Sequence, residues 1–330
     1  MIYKKEKTRQ IRFPLGGIGT GCVHISGRGS LIDWEIRNRP NKNSTLGMTH
    51  FAIKAEHGKK VIDARVMNSD LQPPYMGGYG GAFGGYGFGP SRATLAGIPH
   101  FRDAVFKGEF PISEISFRDR TFPGNVKLTA WNPFIPLNDR DSAIPGAFFE
   151  VAVRNNTKKN LVYTIALTCA NAQTAGTPVH KVGMKKNIRL IKLGTAGPHE
   201  KQEPGKEGNT CIATDASETG YQQFWFQGRW FDSLGVWWRD FTTFGRLKNR
   251  TYEQAARRAK GLPHGVLTAR IRVRPGCSEK ARFVITWHFP EMYAYWKQNK
   301  CTDGTCTSGD AAPKTWKVYY STIFKDSAES

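Results

Sequence analysis

Hydrophobic and polar residues alternate with a period of two along most of the chain. One pair of alternating runs covers residues 149–154 and 161–167, with a polar turn at 155–160 between them. Another pair lies within 266–287, on either side of Pro275-Gly276. Period-two alternation is typical of β-strands with one buried face, so we expect each pair to form a hairpin.

A further hairpin is predicted near the N-terminus, where Phe51 and Ile53 precede a turn at His57-Gly58 and Val61 follows it. Short strands separated by Gly, Pro and Asn turns favour an all-β fold over alternating strands and helices. We therefore predict a large, supersandwich-like antiparallel β-sandwich of two sheets.

Three segments depart from this alternation. Residues 75–90 hold eight glycines among aromatic residues, which predicts a long, mobile surface loop. Residues 195–209 are rich in Gly, Pro, Glu and Lys and are expected to be a solvated excursion. Residues 251–260 give the best pattern for a short interior helix.

The C-terminal segment carries apolar residues at helical spacing. Trp316, Tyr320 and Phe324 recur every four positions within 314–325 and predict an amphipathic helix whose stripe needs a covering surface. The chain stops six residues after Phe324. We therefore expect a sandwich domain at 1–312 and, at 313–330, the start of a linker helix towards an absent domain.

Composition narrows the functional classes. Lys and Arg number 48 against 27 Asp and Glu, a formal charge of +21 that attracts polyanions or an acidic partner surface. The six cysteines and eight histidines show neither Cys-x-x-Cys nor His-x-x-x-His spacing, so no metal and no cofactor is predicted. Neither an apolar leader nor a membrane-length apolar run is present, which predicts a cytoplasmic protein.

The glycine-rich string at 16–21 invites comparison with dinucleotide-binding turns. Those turns need a strand before the glycines and a helix after them, so that the phosphates meet the helix N-terminus. Here Pro14 precedes the string, and β alternation follows from Cys22. We interpret the string as a place where two backbone segments cross closely.

Two carboxylates are candidates for chemistry. Asp33 and Glu35 fall on one face of a predicted strand, with Cα atoms about 6.7 Å apart. Retaining glycosidases hold their two carboxyl groups about 5–5.5 Å apart, so this pair is conceivable. The alternative is a structural ion network with Arg37 and Arg39, and a similar salt-bridged loop is expected at 139–141.

Basic residues concentrate near the end of the alternating region. Arg270, Arg272 and Arg274 share one predicted strand face, with Arg282 expected beside them across the hairpin. Basic residues with aromatic neighbours can bind single-stranded nucleic acid. A solvated face, or docking to an acidic domain, is the alternative. The neighbouring tryptophans are Trp225, Trp230, Trp237 and Trp238.

Several segments together resemble a known enzyme family. In chain order they are residues 13–22, 27–40, 97–102, 108–111, 131–138, 141–142 and 286–290. This combination resembles the opening of glycoside hydrolase family 116, which includes bacterial β-glucosidases and non-lysosomal glucosylceramidases.

The resemblance implies a two-sheet N-terminal domain packed on a C-terminal (α/α) barrel. Family members retain anomeric configuration with two carboxylates, and both belong to the barrel. The chain is therefore expected to contain no catalytic residue and to be inactive alone. It would support the barrel, in cis or as a separate chain, with a β-glucoside or glucosylceramide bound at a shared cleft.

Docking to such a barrel would use residues from several of these segments. The interface candidates are Asp33, Glu35, Arg37, Arg39, Trp131, Asn132, Asp141, Trp316, Tyr320 and Phe324. Two alternatives remain open at this point. One is a free-standing carbohydrate-binding module with exposed tryptophan platforms, for which Trp230, Trp237 and Trp238 are candidates; the other is a basic nucleic-acid-binding protein, although no specific nucleic-acid module is recognisable.

Overall fold

The computed structural model describes residues 1–69, 95–173, 176–196, 207–226, 233–252, 262–293 and 315–330. Strands dominate these residues. In chain order they are β1 (Ile2–Lys4), β2 (Arg12–Leu15), β3 (Val23–Ser26), β4 (Leu31–Ile32), β5 (His50–His57), β6 (Lys60–Ser69), β7 (His100–Phe101), β8 (Asp103–Glu109), β9 (Ile112–Arg118), β10 (Asn125–Trp131), β11 (Gly146–Arg154), β12 (Leu161–Ala170), β13 (Thr177–Lys185), β14 (Ile188–Ala196), β15 (Asn209–Thr214), β16 (Thr219–Gln222), β17 (His264–Val273), β18 (Ser278–His288), β19 (Glu291–Tyr293) and β20 (Thr315–Lys317).

Two large sheets organise the fold. A nine-stranded sheet has the order β1-β8-β9-β10-β11-β18-β15-β14-β13, and a six-stranded sheet has the order β16-β17-β12-β5-β6-β7. Neighbouring strands are antiparallel except β6 and β7, which are parallel. Two small sheets, β2-β3-β4 and β19-β20, complete the described strands.

The core lies between the two large sheets. Phe51 on β5 of the six-stranded sheet contacts Phe149 and Phe283 on the nine-stranded sheet, with ring centroids 5.1 and 5.7 Å apart. All three rings are buried, as alternation in the sequence predicted. Edge-to-face packing of this kind suits the quadrupoles of aromatic rings. The predicted all-β sandwich of two antiparallel sheets is confirmed.

Two of the predicted hairpins are wrong. β11 pairs with β10 and β18 in the nine-stranded sheet, whereas β12 pairs with β5 and β17 in the six-stranded sheet. The chain therefore crosses between the sheets at 155–160, and it crosses again between β17 and β18. Alternation shows which face of a strand is buried, but not which strand lies beside it. The strands of both sheets turn an alternating face to the core, so their sequences look the same.

The two crossings lie side by side and are joined through Asn155. Its buried side-chain amide donates to the carbonyl oxygens of Lys159 and Val273, at 2.7 and 2.9 Å. Its backbone N–H donates to the Cys277 carbonyl at 3.0 Å. One asparagine thus satisfies backbone groups of both crossings. The hairpin predicted at His57-Gly58 does form, between β5 and β6.

The described helices are short. α1 covers Asp139–Ser142 and α2 covers Ser233–Thr242. α2 buries Leu234, Trp237 and Phe241, a spacing of three and four residues that makes one apolar face. No helix in the described ranges is long and apolar enough to cross a membrane.

Three predicted segments lie wholly or mostly outside the described residues. They are the glycine-rich loop at 75–90, the excursion at 195–209 apart from its two ends, and the interior helix at 251–260 after Tyr252.

The C-terminal helix prediction is wrong for the described residues from 315. Thr315–Lys317 form β20 against β19, and Tyr319–Thr322 form a 3-10 turn. The Val318 N–H donates to the Pro290 carbonyl at 2.9 Å, and Tyr320 is buried against Phe289. Backbone hydrogen bonds to residues 290–293 replace the hydrogen bonds that a helix would make within the segment. The helical spacing of the apolar residues therefore did not indicate a helix here.

Candidate functional site

The family-like segments meet around the turn at 16–21, which connects β2 and β3. A Cβ atom on Gly17 would lie 2.5 Å from the Ile144 carbonyl oxygen. Gly21 has a φ of +76° and faces the Glu35 carbonyl at similarly close range. Only glycine tolerates both the conformation and the contact. The predicted close backbone crossing is therefore confirmed.

Two buried side chains hold this crossing in place. Asn132 accepts a hydrogen bond from the Gly16 N–H at 2.7 Å and donates to the Pro14 carbonyl at 3.0 Å. The Trp287 indole N–H donates to the Thr20 carbonyl at 2.8 Å. Asn132 therefore acts inside the domain, which differs from its predicted place at an interface.

Asp33 does not lie on a strand, because β4 ends at Ile32. Asp33 has a φ of +50° and is fully buried. Its carboxylate lies 2.9 Å from the Arg12 guanidinium and accepts a hydrogen bond from the Asn43 N–H at 2.6 Å. The predicted arrangement of Asp33 and Glu35 on one strand face is wrong, since the chain turns at Asp33.

Glu35 faces a different set of partners. Its carboxylate accepts hydrogen bonds from Lys42 at 2.9 Å and from the Asn41 N–H at 3.0 Å. Partial burial alone would raise the pKa of Glu35, but these two hydrogen bonds hold it below its usual value. The Cys22 thiol donates to Glu35 over 3.7 Å, and burial together with this carboxylate raises the pKa of Cys22 to about 11.

The arginines predicted to neutralise these carboxylates behave differently. Arg37 donates to the Ala172 carbonyl at 2.7 Å and places its guanidinium 4.5 Å above the Phe289 ring. Burial lowers the pKa of Arg37. Arg39 is exposed. Both carboxylates are ion-paired, but Asp33 pairs with Arg12 and Glu35 with Lys42, and neither pairs with Arg37 as predicted.

Residues 138–142 form a capped turn and not the predicted salt-bridged loop. Asn138 accepts a hydrogen bond from the Asp141 N–H at 3.0 Å, and its amide donates to the Asp141 carboxylate at 2.8 Å. Tyr319 donates to the Asp139 carboxylate at 3.0 Å. Within the described ranges Arg140 makes no ion pair. The hydrogen bond from Tyr319 therefore ties the C-terminal segment to α1.

An exposed apolar surface surrounds this turn, and we name it the apolar corner. Its members are Ile18, Phe110, Phe134, Ile135, Leu137 and Tyr319. Ser142 connects two of them, since its carbonyl accepts the Ile18 N–H at 2.7 Å and its hydroxyl accepts the Ile135 N–H at 2.9 Å. The Phe110 and Phe134 rings lie 5.3 Å apart, and Leu137 is fully exposed. Grouped exposed apolar side chains mark interaction surfaces.

The remaining interface candidates divide between the surface and the interior. Trp131 is half-buried on the outer face of the nine-stranded sheet, stacked on Phe148 at 5.8 Å. Trp316 is exposed and Phe324 is half-buried. Tyr320 is buried, and its hydroxyl binds both the N–H and the carbonyl of Phe289 at 2.8 Å. Tyr320 therefore fastens the C-terminal segment and is not available to a partner.

The predicted basic face is divided between the two sheets, and part of it is ion-paired. Arg270 on β17 lies 3.1 Å from Glu56 and 2.7 Å from Glu218. Arg282 lies on β18 in the other sheet, where it pairs with Glu150. Because β17 and β18 are not a hairpin, the prediction that Arg282 lies beside Arg270 is wrong. The predicted grouping of Arg282 with Arg270, Arg272 and Arg274 on one face is therefore absent.

The tryptophan platforms of the carbohydrate-binding alternative are also altered. Trp237 is buried, with its ring stacked on Trp225 at 5.0 Å and on Phe241 at 5.4 Å. Trp238 is half-buried beside them. Trp230 lies outside the described residues. Trp237 therefore fills the core next to α2 and cannot present a face to a sugar.

The fold defines a large two-sheet antiparallel β-sandwich domain. Residues 12–330 match the family model described as beta-glucosidase 2, glycosyl-hydrolase family 116 N-term. The chain therefore belongs to the N-terminal domain family of glycoside hydrolase family 116, as the resemblance indicated. That family consists of modules of carbohydrate-active enzymes, in which this domain is partnered by a C-terminal catalytic domain.

Comparisons with other known proteins are weaker. A search of curated proteins found no match. Among solved structures, a putative kojibiose phosphorylase from human microbiome matches at 9% identity and a TM-score of 0.37, over 84% of this chain and 30% of that one. A polysaccharide lyase matches at 10% identity and a TM-score of 0.33, over 87% and 32%. The chain thus spans about a third of these proteins, and matches at such scores support no argument about its function.

Proposed function

We propose that this chain is the non-catalytic β-sandwich module of a retaining β-glucosidase or glucosylceramidase, and that it supports a helical-barrel catalytic domain. Membership of the family supports a catalytic domain as the partner. The apolar corner supports a surface where that partner would dock. Its six members expose apolar side chains around the turn at 138–142, which is held by Ser142 and by the hydrogen bond from Tyr319 to Asp139. Such a surface loses water when a partner covers it.

The carboxylates of this chain support a non-catalytic role. Asp33 is fully buried beside Arg12, and Glu35 is held by Lys42 and Asn41. A glycosidase needs two carboxyl groups that both flank the sugar, which a fully buried Asp33 cannot do. The net charge of +21 adds long-range attraction for an acidic barrel surface.

The test mixes the full chain with a family barrel domain supplied as a separate protein, at low salt. Wild type should associate, and Ile135→Asp and Leu137→Asp should weaken association at least tenfold, because each places a charge in a desolvated contact. Met184→Asp is the matched control, since Met184 is exposed on β13, outside the apolar corner. Absence of association, or equal weakening by Met184→Asp, would overturn the proposal.

An activity assay tests the non-catalytic part separately. The isolated chain should leave an aryl β-glucoside intact. Turnover that disappears in Asp33→Ala or Glu35→Ala would place a catalytic site within the sandwich instead. Tryptophan fluorescence titrated with glucosides and cello-oligosaccharides should stay unchanged. A saturable change would favour the carbohydrate-binding alternative.

A further inference from the structure

A second cluster of reactive side chains lies beside the glycine crossing and has no part in the proposed docking. Cys22, His24 and Glu35 each offer one ligand atom, and these atoms lie within 4.8 Å of one another. Cys22 directly precedes β3 and His24 is its second residue, so the two side chains are two positions apart and leave the same side of the chain. The chain returns over this face after Asp33 and brings Glu35 to them, with the Glu35 N–H bonded to the Cys22 carbonyl at 2.8 Å.

We propose that Cys22, His24 and Glu35 bind a Zn²⁺ ion. A thiolate, an imidazole and a carboxylate are the donors that zinc accepts, and three protein ligands leave one position for water. Tetrahedral zinc with ordinary bond lengths places its ligand atoms about 3.3–3.7 Å apart. The Cys22 sulfur and the Glu35 Oε2 atom are already 3.7 Å apart. Small side-chain rotations close the rest of the set.

The surroundings supply the outer layer that zinc ligands need. The Asp33 carbonyl lies 3.3 Å from His24 Nδ1, and the Asp33 carboxylate lies 3.9 Å from the same nitrogen. Partners of this kind fix the ring orientation of a metal-bound histidine. The Asp33 Oδ2 atom is buried and makes an ion pair with Arg12 at 2.9 Å. Within the described ranges it accepts no hydrogen bond of good geometry. His24 is itself buried, so its ring is held before metal arrives.

Lys42 occupies the place that the metal would take on Glu35. Its ammonium donates to Glu35 Oε2 at 2.9 Å, and its side chain is 56% exposed. It can therefore swing into solvent at little cost when Zn²⁺ binds. Removing this competing cation should tighten metal binding. That dependence separates a true site at Glu35 from adventitious binding elsewhere on the chain.

The metal would fasten the segment after Asp33 to β3. Because only the folded chain brings the three ligands together, binding stabilises the fold by an amount set by the ratio of free metal to dissociation constant. The pattern Cys-x-His with a glutamate eleven positions later matches no standard zinc spacing, so sequence spacing could not reveal it. The turn at Asp33 creates the cluster.

The experiment titrates the metal-stripped full chain with Co²⁺, whose thiolate charge-transfer absorption reports a bound sulfur. Wild type should bind one ion per chain through a thiolate, and Zn²⁺ should displace it. Cys22→Ser should abolish the band, and His24→Gln and Glu35→Gln should weaken binding at least tenfold. Lys42→Met should tighten it, which remains a decisive test should a ligand variant fold poorly.

Two controls address three of the five other thiols, and the remaining two, Cys169 and Cys211, are buried. Cys277→Ser changes an exposed cysteine between β17 and β18. Cys301→Ser/Cys306→Ser removes two thiols outside the described residues. Both should keep the band unchanged, and Zn²⁺ should raise the melting temperature of both by several degrees. A band that survives in Cys22→Ser, that is lost in the Cys301/Cys306 variant, or that never forms in wild type would overturn the proposal.

Discussion

Lys54 offers the strongest test of how the six-stranded sheet is held together. Its ammonium is almost fully buried and donates to the carbonyl oxygens of Thr243 and Gly245 at 2.6 and 2.7 Å. It also lies 3.0 Å from one oxygen of the Glu56 carboxylate. Arg270 lies 3.1 Å from the other oxygen of that carboxylate. Burial lowers the pKa of Lys54, while Glu56 opposes that shift.

Lys54→Met keeps most of the side-chain volume and removes the charge. Two carbonyl groups then lose their donor, and Glu56 loses one of its two cations. Removing one partner of a buried ion pair costs about 3–5 kcal/mol, so the free energy of unfolding should fall by that amount. The double variant Lys54→Met/Glu56→Gln should recover part of the loss, because it no longer leaves a carboxylate with a missing cation.

Urea denaturation followed by circular dichroism measures both variants. Lys280→Met is the matched control, because Lys280 makes the same kind of contact with Glu150 at 2.9 Å on an exposed face. Exposed pairs contribute at most about 1 kcal/mol. The reasoning fails if Lys54→Met loses no more stability than Lys280→Met, or if adding Glu56→Gln makes the loss larger.

Three further outcomes follow from buried polar groups. Burial lowers the pKa of three histidines to about 4, about 4 and about 3 for His50, His180 and His264 respectively. The unfolded chain takes up protons below about pH 6.5 while the folded chain does not, so stability should fall by up to about 1.4 kcal/mol per pH unit for each histidine between pH 6.5 and 4; a flat urea midpoint over that range would contradict this. Asn132→Ala should cost about 2 kcal/mol in urea denaturation, because the Gly16 N–H and the Pro14 carbonyl lose their partner, whereas Asn156→Ala on the surface should be near neutral. Tyr320→Phe should lower the melting temperature, since the Phe289 N–H and carbonyl are left unpaired. Tyr319→Phe removes only the exposed hydrogen bond to Asp139 and should lower it less.

The sequence predicted which faces are buried better than which strands are neighbours. Phe149 and Phe283 were expected inside from alternation alone, and both are buried. Their strands could not be assigned to the correct partners, because a six-residue link can close a hairpin or cross a sandwich about 10 Å thick. In the structure the Asn155 amide joins the two crossings, since it bonds to Lys159 nearby and to Val273 far along the chain.

The candidate functional residues also show that the sequence identifies residues better than their neighbours in space. The carboxylates at Asp33 and Glu35 were recognised, but their partners depend on a left-handed residue that ends β4 early. The apolar corner was missed because Leu137 and Ile18 are far apart in sequence and neither belongs to a periodic run. The available signal was the segment Phe134-Ile135-Pro136-Leu137, whose apolar residues follow a strand and have no alternation to bury them.

The paired crossings at Asn155 determine when this chain can fold. Leu161 pairs with Val273 and Arg154 pairs with Ser278, so the central strands of both sheets await partners more than about 110 residues downstream. Contacts this distant in sequence slow folding, because loop closure must precede them. During synthesis β11 and β12 present open edges until β17 and β18 leave the ribosome. A chain interrupted before residue 262 should therefore aggregate rather than yield one finished sheet.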